Sequence, residues 1–264
     1  VILVYGDATQ GWQPVEAATN ADLPRPSFVT ATGGTITTSG DCKIHTFTGP
    51  GTFCVSKVSN CAANNEVSYV VVAGGGGSAG FKPCSPAAGS GGGGAGGYRE
   101  SKSPVTPYTA SPLDGRPSAP NRITVTATAF PIAVGGGGAP GPRVSPGGQG
   151  TSGGVATFST ITSAGGGGGS NYPGPGIAGG SGGGGRGGGG GPCEAGGAGN
   201  TPPTTPAQGQ AGGPGAGTGT GGGGGGATAA GTGGVLSPSI QGGPGGAGAT
   251  SSITASPVAR AGGG

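Results

Sequence analysis

Glycine runs constrain this chain more than any other feature of its sequence. Residues 177–199 contain 14 glycines in 23 positions. A stretch so poor in side chains cannot bury apolar surface, and glycine loses more conformational entropy on ordering than any other residue. The runs are therefore either flexible linkers or segments that order by packing backbone against backbone. Similar runs stand at 74–77, 91–97, 135–138, 165–169, 221–226 and 262–264.

The backbone-packed alternative has a defined geometry. A polyglycine-II helix is extended and has no internal hydrogen bonds, so its N–H and C=O groups point outward and need partners. Without Cβ atoms, neighbouring helices approach closely enough to supply those partners. Composition alone favours linkers, but segments with Val, Ile, Phe and Tyr separate the runs, which linkers rarely contain. We therefore expect a polyglycine-II helix bundle with inserted short strands and loops.

The glycine content changes abruptly near residue 73, because only 7 of the 74 glycines precede it. The sequence thus predicts an N-terminal strand and connector (1–27), a small antiparallel β domain (28–73) and a glycine-rich domain (74–264). The chain does not begin with methionine, which suggests a fragment or a processed product.

Strand patterns dominate the predicted β domain. Residues 28–32 and 35–38 flank Gly33 and Gly34, a hairpin signal. Residues 42–48 and 52–58 flank a Gly-Pro-Gly turn, and pairing them across it predicts a second hairpin. The N-terminal part is therefore expected to be all-β, and no helical periodicity appears anywhere.

That second hairpin places the only histidine, His45, opposite Val55 on the apolar face. His45 is therefore expected to be a packed strand residue rather than a catalyst. The last strand, 66–73, is the most apolar and runs straight into Gly74, so the sheet feeds the glycine-rich domain.

Short strands and glycine runs alternate beyond residue 73. Residues 123–134 and 155–163 alternate with period two, and each ends at a glycine run. We expect a rod or slab of glycine helices with loops projecting from its ends. The insertions that would form these loops are 98–121, 200–208, 235–241 and 249–260.

Charge and hydropathy exclude several classes of function. Only 7% of the residues are charged, and the net charge of +3 is spread without a basic patch, so we expect no nucleic-acid partner. No apolar run approaches the length of a membrane-spanning helix.

The five cysteines lack C-x-x-C spacing, and zinc needs four converging ligands, so neither a metal site nor a cofactor is expected. Disulfides are plausible for an extracellular protein. Cys84 and Cys193 both follow a proline near a glycine run and are the preferred pair. Free buried thiols are the alternative reading of these cysteines.

No catalytic motif fits its required context, and we expect no enzymatic activity. Matches to G-x-G-x-x-G are abundant, but a dinucleotide site needs a helix after the motif, and none is predicted. A Ser/His/Asp triad would have one possible base and no nucleophile elbow.

Recognition of a ligand would have to come from the insertions, since exposed glycine offers no side chains. The longest insertion, 98–121, is held semi-rigid by prolines, which lowers the ordering cost on binding. We expect its aromatic and arginine residues to bind a receptor, although the loop could instead cap the lattice or contact a neighbouring subunit. These residues are Tyr98, Arg99, Tyr108, Arg116 and Arg122.

The block from Ala31 to Gly77, with GGTITTSGDCKIHTFT followed by VVVAGGGG, resembles the glycine-rich domain of bacteriophage tail and virion structural proteins. Three further stretches, GAGGYRES, FPIAVGGGG and FSTITSAGGGGG, look like later parts of the same pattern. The block architecture is also similar to the tip adhesins of T-even-type long tail fibres. Cys42 and Cys54 depart from the pattern, which usually has an aromatic residue and a threonine at these positions.

The resemblance implies a virion or extracellular protein, a tail fibre or fibre-tip component whose loops can bind a host receptor. It also implies homo-oligomers or other fibre and tail proteins as partners. The alternative is an extracellular glycine-rich filament or matrix protein of a cell, with the same packing and no receptor.

Overall fold

The chain is built from short β-strands and extended glycine-rich segments. The computed structural model describes the backbone of Leu3–Tyr5 and Trp12–Pro14 and, in full, residues 27–80, 89–143, 148–171, 174–188, 192–217 and 219–264. These residues contain two short 3-10 helices and no α-helix, and their strands form small antiparallel sheets, so the expected fold class, short strands with essentially no α-helix, is confirmed. In chain order the strands are β1 Leu3–Tyr5, β2 Trp12–Pro14, β3 Thr30–Thr32, β4 Thr35–Ser39, β5 Cys42–Thr46, β6 Gly51–Lys57, β7 Glu66–Val67, β8 Tyr69–Val72, β9 Tyr98–Ser101, β10 Ile123–Thr124, β11 Ala129–Ala133, β12 Ala156–Phe158, β13 Ile161–Ser163, β14 Ala249–Ser251 and β15 Val258–Arg260.

The largest sheet has five antiparallel strands in the order β13-β12-β11-β6-β3. In β6, Phe53 and Val55 are buried while their neighbours are exposed, which is the alternation of a sheet with one covered face. The ring of Phe158 packs edge-on against Phe53 and Tyr69, with centroids 6.0 Å apart in both pairs. These aromatic side chains form the centre of the main hydrophobic core.

The pairing of the early strands differs from the prediction. β3 pairs with β6 and β4 pairs with β5, so neither a β3–β4 nor a β5–β6 hairpin forms. Gly33 and Gly34 both have positive φ, 107° and 65°. A Cβ on Gly33 would lie only 2.0 Å from the Thr52 carbonyl oxygen. The two glycines thus turn the chain sharply beside β6 instead of closing a two-stranded hairpin.

The predicted position of His45 is wrong in register. It pairs with Ile36 rather than Val55. The imidazole packs edge-on against the Phe53 ring at 5.0 Å, and its Nδ1 lies 2.8 Å from the Gly33 carbonyl oxygen. His45 is nevertheless a strand residue packed on the core, as expected from its apolar neighbours.

Segment 73–80 shows how the glycine runs pack. Every third N–H from Ala73 to Ala79 donates to a carbonyl of segment 91–97, at 2.8–3.1 Å. Every third N–H from Gly74 to Gly80 donates instead to segment 148–154, at 2.8–3.0 Å. Successive residues therefore bond to different neighbours, with a period of three residues.

Segment 91–97 lies at the centre of this glycine lattice, by which we mean the hydrogen-bonded glycine-rich segments after residue 73. Its residues exchange backbone hydrogen bonds with segments 73–79, 164–170, 181–184 and 222–225 and with Gly264. These described runs are ordered by backbone hydrogen bonds rather than being unbonded linkers. The three-residue period is the one that polyglycine-II packing requires, and the helix type itself stays a prediction.

Close backbone contact explains why glycine is needed in the lattice. A Cβ on Gly91 would lie 2.0 Å from the Gly184 carbonyl oxygen, and one on Gly184 would lie 2.0 Å from that of Gly222. Real Cβ atoms do not approach oxygen so closely, so a side chain at these positions would push the segments apart.

The lattice has two ends. The N–H of Ala73 donates to Gly97, and that of Gly97 donates to Ala164, next to β8, β9 and β13. We call this the sheet end. At the opposite end, which we call the far end, the N–H of Gly80 donates to Gly148 and that of Gly187 donates to Gly89. The five-stranded sheet combines strands from both sides of residue 73, and the proposed three-part division of the chain stays a prediction.

Candidate functional site

Three of the predicted insertions meet at the sheet end and form what we call the loop cluster, residues 98–121, 200–208 and 249–260. The Asn121 side chain donates through Nδ2 to the Thr205 carbonyl oxygen at 2.8 Å. The Ser252 N–H donates to the Thr109 carbonyl oxygen at 2.9 Å. The insertion 235–241 is not part of this cluster. Leu236 lies beside Gly217, and Gly215, two residues earlier, lies against Gly187 at the far end.

A buried carboxylate stands at the centre of the loop cluster. Glu100 is 2% exposed. Its Oε2 accepts hydrogen bonds from the Tyr98 hydroxyl at 2.8 Å and the Ser111 N–H at 2.9 Å. Its Oε1 accepts from the Ser251 hydroxyl at 2.6 Å. The carboxylate thus joins two insertions that lie far apart in the sequence, and its hydrogen-bonding capacity is directed inward.

Tyr98, one of the predicted receptor contacts, is part of this interior. It is 1% exposed and packs with Ala227 and Ala249. Burial raises the pKa of the Tyr98 phenol well above its usual range, because the charged form would lose its hydration. Its side chain anchors the start of the insertion to the lattice.

Tyr108 is partly buried, with its hydroxyl oxygen fully enclosed. Among the described residues, this hydroxyl has no hydrogen-bond partner. Burial raises the pKa of Tyr108, and the negative charge of Glu100 raises it further. The Lys102 ammonium lies 5.7 Å from the centre of the ring, within the range of a cation–π contact.

Arg99 and Asn121 tie the two ends of the long insertion together. An Arg99 guanidinium nitrogen donates to Asn121 Oδ1 at 2.5 Å. Asn121 is 4% exposed and donates through Nδ2 to the Gly115 carbonyl oxygen as well. Burial lowers the pKa of Arg99 from its usual value.

The remaining predicted contacts lie nearer the surface. Arg116 forms an ion pair with Glu66, with Nε and Oε1 2.8 Å apart. Arg122 is exposed, and its Nε donates to the Arg116 carbonyl oxygen at 2.9 Å. Of the five predicted receptor-binding residues, Arg122 therefore presents the most side chain to solvent.

The structure places all five predicted residues in or directly beside the loop cluster, while their receptor-binding role stays a prediction. Sequence reasoning missed Glu100 and Asn121, which organise the cluster. The signal for Glu100 was weak: a carboxylate beside Tyr98 in a chain with few charges. Its partner Ser251 is 151 residues away, so no local pattern could have identified the pair.

The predicted Cys84–Cys193 disulfide falls partly outside the described residues, because Cys84 is not among them. Cys193 is exposed, and its Sγ lies 3.8 Å from the Gly217 carbonyl oxygen. The pairing stays a prediction.

The described residues contain neither a metal-binding cluster nor a membrane-spanning helix. No group of three or more His, Cys, Asp or Glu side chains suited to a metal ion occurs in the described parts of the chain. Within the same ranges, the structure contains no helix with the length and apolar character of a membrane span.

The comparisons with known proteins identify the family. The sequence matches no curated protein and no solved structure. A family model described as a glycine-rich domain matches residues 47–264, which include the last part of the β region and the whole glycine lattice. This chain therefore belongs to the family of glycine-rich domain proteins.

Proposed function

We propose that the chain is a virion structural protein, a component of a phage tail fibre or fibre tip. The observation that carries the proposal is the lattice itself, in which glycine segments from six or more parts of the chain are joined by backbone hydrogen bonds. Such packing gives a stiff body whose interior is mostly backbone. A fibre needs such a body to hold surface loops in a fixed position.

The similarity of the block from Ala31 to Gly77 to phage tail proteins supports this assignment. The low content of charged residues and the absence of a recognisable catalytic motif suit a structural role. The same lattice would also suit an extracellular filament or matrix protein, and the two proposals differ in whether the protein is part of a particle.

The loop cluster is our proposed receptor-binding surface. Internal hydrogen bonds fix its shape through Glu100 and Asn121, so little ordering entropy would be lost on binding. Arg122 is exposed at its surface, and Val105 is 49% exposed. Arginine and apolar side chains of this kind serve as anchors at interfaces.

The position in a particle can be tested with antibodies raised against the purified chain. We expect the antibodies to label the fibres or tail tips of the phage whose structural genes lie next to the gene for this chain. Labelling of a cell-surface matrix, with particles left unlabelled, would favour the filament alternative.

Receptor binding can be tested with a matched pair of variants, Arg122→Ala beside the loop cluster and Arg143→Ala near the far end. Both substitutions remove one exposed arginine charge. With fluorescently labelled chain added to cells that the phage infects, we expect Arg122→Ala to reduce binding and Arg143→Ala to leave it unchanged. If Arg143→Ala reduces binding and Arg122→Ala does not, the receptor-binding surface lies at the far end instead.

A further inference from the structure

Segment 135–141 forms an edge of the lattice, and its glycines fall into two groups that differ in the space available for a Cβ atom. Gly135, Gly138 and Gly141 face segment 148–154, where an added Cβ would lie 2.0–2.1 Å from a carbonyl oxygen. Glycine is required at these positions by the packing of the chain itself.

The other positions of this segment are open. Ala139 and Pro140 are exposed and show that side chains are accepted there. Gly136 and Gly137 occupy the equivalent positions one turn earlier and are also exposed. A Cβ on Gly136 would meet no atom within 4 Å, and one on Gly137 would be 3.8 Å from the nearest atom, the Gly75 carbonyl oxygen.

Nothing within the described chain therefore explains two adjacent glycines at this edge. Neither has a φ in the left-handed region. Alanine would fit and would lower the conformational entropy of the unfolded chain, which favours folding. A requirement for glycine at both positions would have to come from outside the molecule.

The backbone of this edge also lacks partners. Among the described residues, the N–H groups of Gly136 and Gly137 and the C=O of Gly137 make no hydrogen bond. An extended edge with free N–H and C=O groups pairs with another extended backbone, as the edge strand of a sheet does. The absence of Cβ atoms allows such a partner to approach as closely as the lattice segments approach each other.

We propose that the face formed by Gly136 and Gly137 is an interface with a second copy of this chain. The same segment on the second copy provides the required partner, which is extended, free of Cβ atoms and equipped with the complementary N–H and C=O groups. Antiparallel pairing of two identical segments satisfies both copies about a two-fold axis. Lattice segments already pair antiparallel in this way, as 73–80 does with 148–154.

The surroundings of the face suit such a contact. Val155 is 49% exposed and follows Gly154, whose N–H donates to the Gly136 carbonyl oxygen. Ala133, at the end of β11, is exposed as well. Both are small and uncharged. Stable complexes bury about 1,200–2,000 Å². The proposed contact involves only a few small residues, so we expect it to form mainly at high protein concentration or within a larger assembly.

The test compares the double variant Gly136→Ala/Gly137→Ala with the control Gly49→Ala. Gly49 also has open space for a Cβ but lies in the β5–β6 turn, outside the lattice. Association is measured by sedimentation velocity over a series of concentrations, and amide exchange of residues 136–137 is measured in the same samples. Thermal unfolding at low concentration establishes that each variant folds.

We expect the wild-type chain and Gly49→Ala to dimerise as concentration rises, with slower amide exchange at residues 136 and 137. At low concentration the double variant should melt at or slightly above the wild-type temperature, and it should dimerise at least about tenfold more weakly. A wild-type chain that stays monomeric at every concentration overturns the proposal. Unchanged dimerisation of the double variant overturns it as well, because the contact would then lie elsewhere. The outcome does not depend on whether the protein belongs to a virion.

Discussion

At the scale of single residues, the need for glycine varies with the neighbour that its missing Cβ would meet. Gly184 is buried, and a Cβ there would overlap the Gly222 carbonyl oxygen at 2.0 Å. Gly136 is exposed and open. Both positions belong to the same lattice. Comparing substitutions at the two positions therefore separates the effect of packing from the effect of glycine's backbone freedom.

We predict that Gly184→Ala lowers the free energy of unfolding by about 1–3 kcal/mol, because the added carbon forces lattice segments apart. Gly136→Ala, measured at low protein concentration, should change it by less than about 1 kcal/mol and in the stabilising direction. Chemical denaturation of both variants checks this. Equal stabilities would mean that segment 181–187 is not packed as described.

The buried tyrosines predict a loss of stability at alkaline pH. Burial raises the pKa of Tyr69, Tyr98 and Tyr108 above the usual value of 10.0. Above about pH 10, the folded chain therefore keeps protons that the unfolded chain releases. The contribution of these tyrosines to the free energy of unfolding is complete below about pH 10 and decreases as pH rises above it.

Denaturation at several alkaline pH values should show this decline, and Tyr69→Phe should make it shallower. In the folded chain, ultraviolet absorbance should show no ionisation of these three tyrosines near pH 10. Ionisation at the ordinary pKa without unfolding would contradict the buried positions.

At the scale of elements, the positions of the strands could be predicted and their partners could not. Alternation located β5 and β6, and in β6 it reflects one covered face, because Phe53 and Val55 are buried between exposed neighbours. Alternation carries no information about which strand lies alongside, and β6 pairs with β3 and β11. β11 lies more than 70 residues further along the chain. Packing of the aromatic core, rather than the nearest turn, selects these partners.

In the loop cluster, too, the positions of the segments could be predicted from the sequence and their contacts could not. Composition identified the insertions, and three of them do meet at one end of the lattice. Their arrangement depends on single buried side chains, Glu100 and Asn121, whose partners are distant in sequence. Such contacts leave no periodic pattern, so the sequence could not predict them.

Asn121 provides an element-level prediction, since its side chain connects the insertion 98–121 to the insertion 200–208. In Asn121→Ala, the Gly115 and Thr205 carbonyl oxygens and the Arg99 guanidinium each lose a hydrogen bond. We expect a loss of about 1–3 kcal/mol in unfolding free energy and faster amide exchange within both insertions. The neighbouring Arg122→Ala serves as the control, because that side chain is exposed. Faster exchange throughout the lattice, rather than in the insertions, would show that the contact has a different role.

At the scale of the whole molecule, the lattice joins distant parts of the chain. Segment 91–97 is bonded to segment 222–225 and to Gly264, and segment 181–184 is bonded to both 91–97 and 164–170. Because every segment shares its hydrogen bonds with several others, removal of one segment would leave unpaired N–H and C=O groups on all of its neighbours. The lattice should therefore open as one cooperative unit.

This cooperativity is tested by native-state amide exchange. We expect the amides of residues 91–97, 164–170, 181–187 and 222–226 to exchange slowly and with one common opening free energy, close to that of global unfolding. Exposed insertions such as 235–240 should exchange earlier, through local fluctuations. In Gly184→Ala, the common value should fall in all four segments together, although only one of them carries the substitution. Exchange of residues 181–187 at the rate of a free peptide, with the β core still protected, would show that this run behaves as a linker. Separate opening free energies for the four segments would instead indicate a stack of independent layers, in which each segment contributes its own stability.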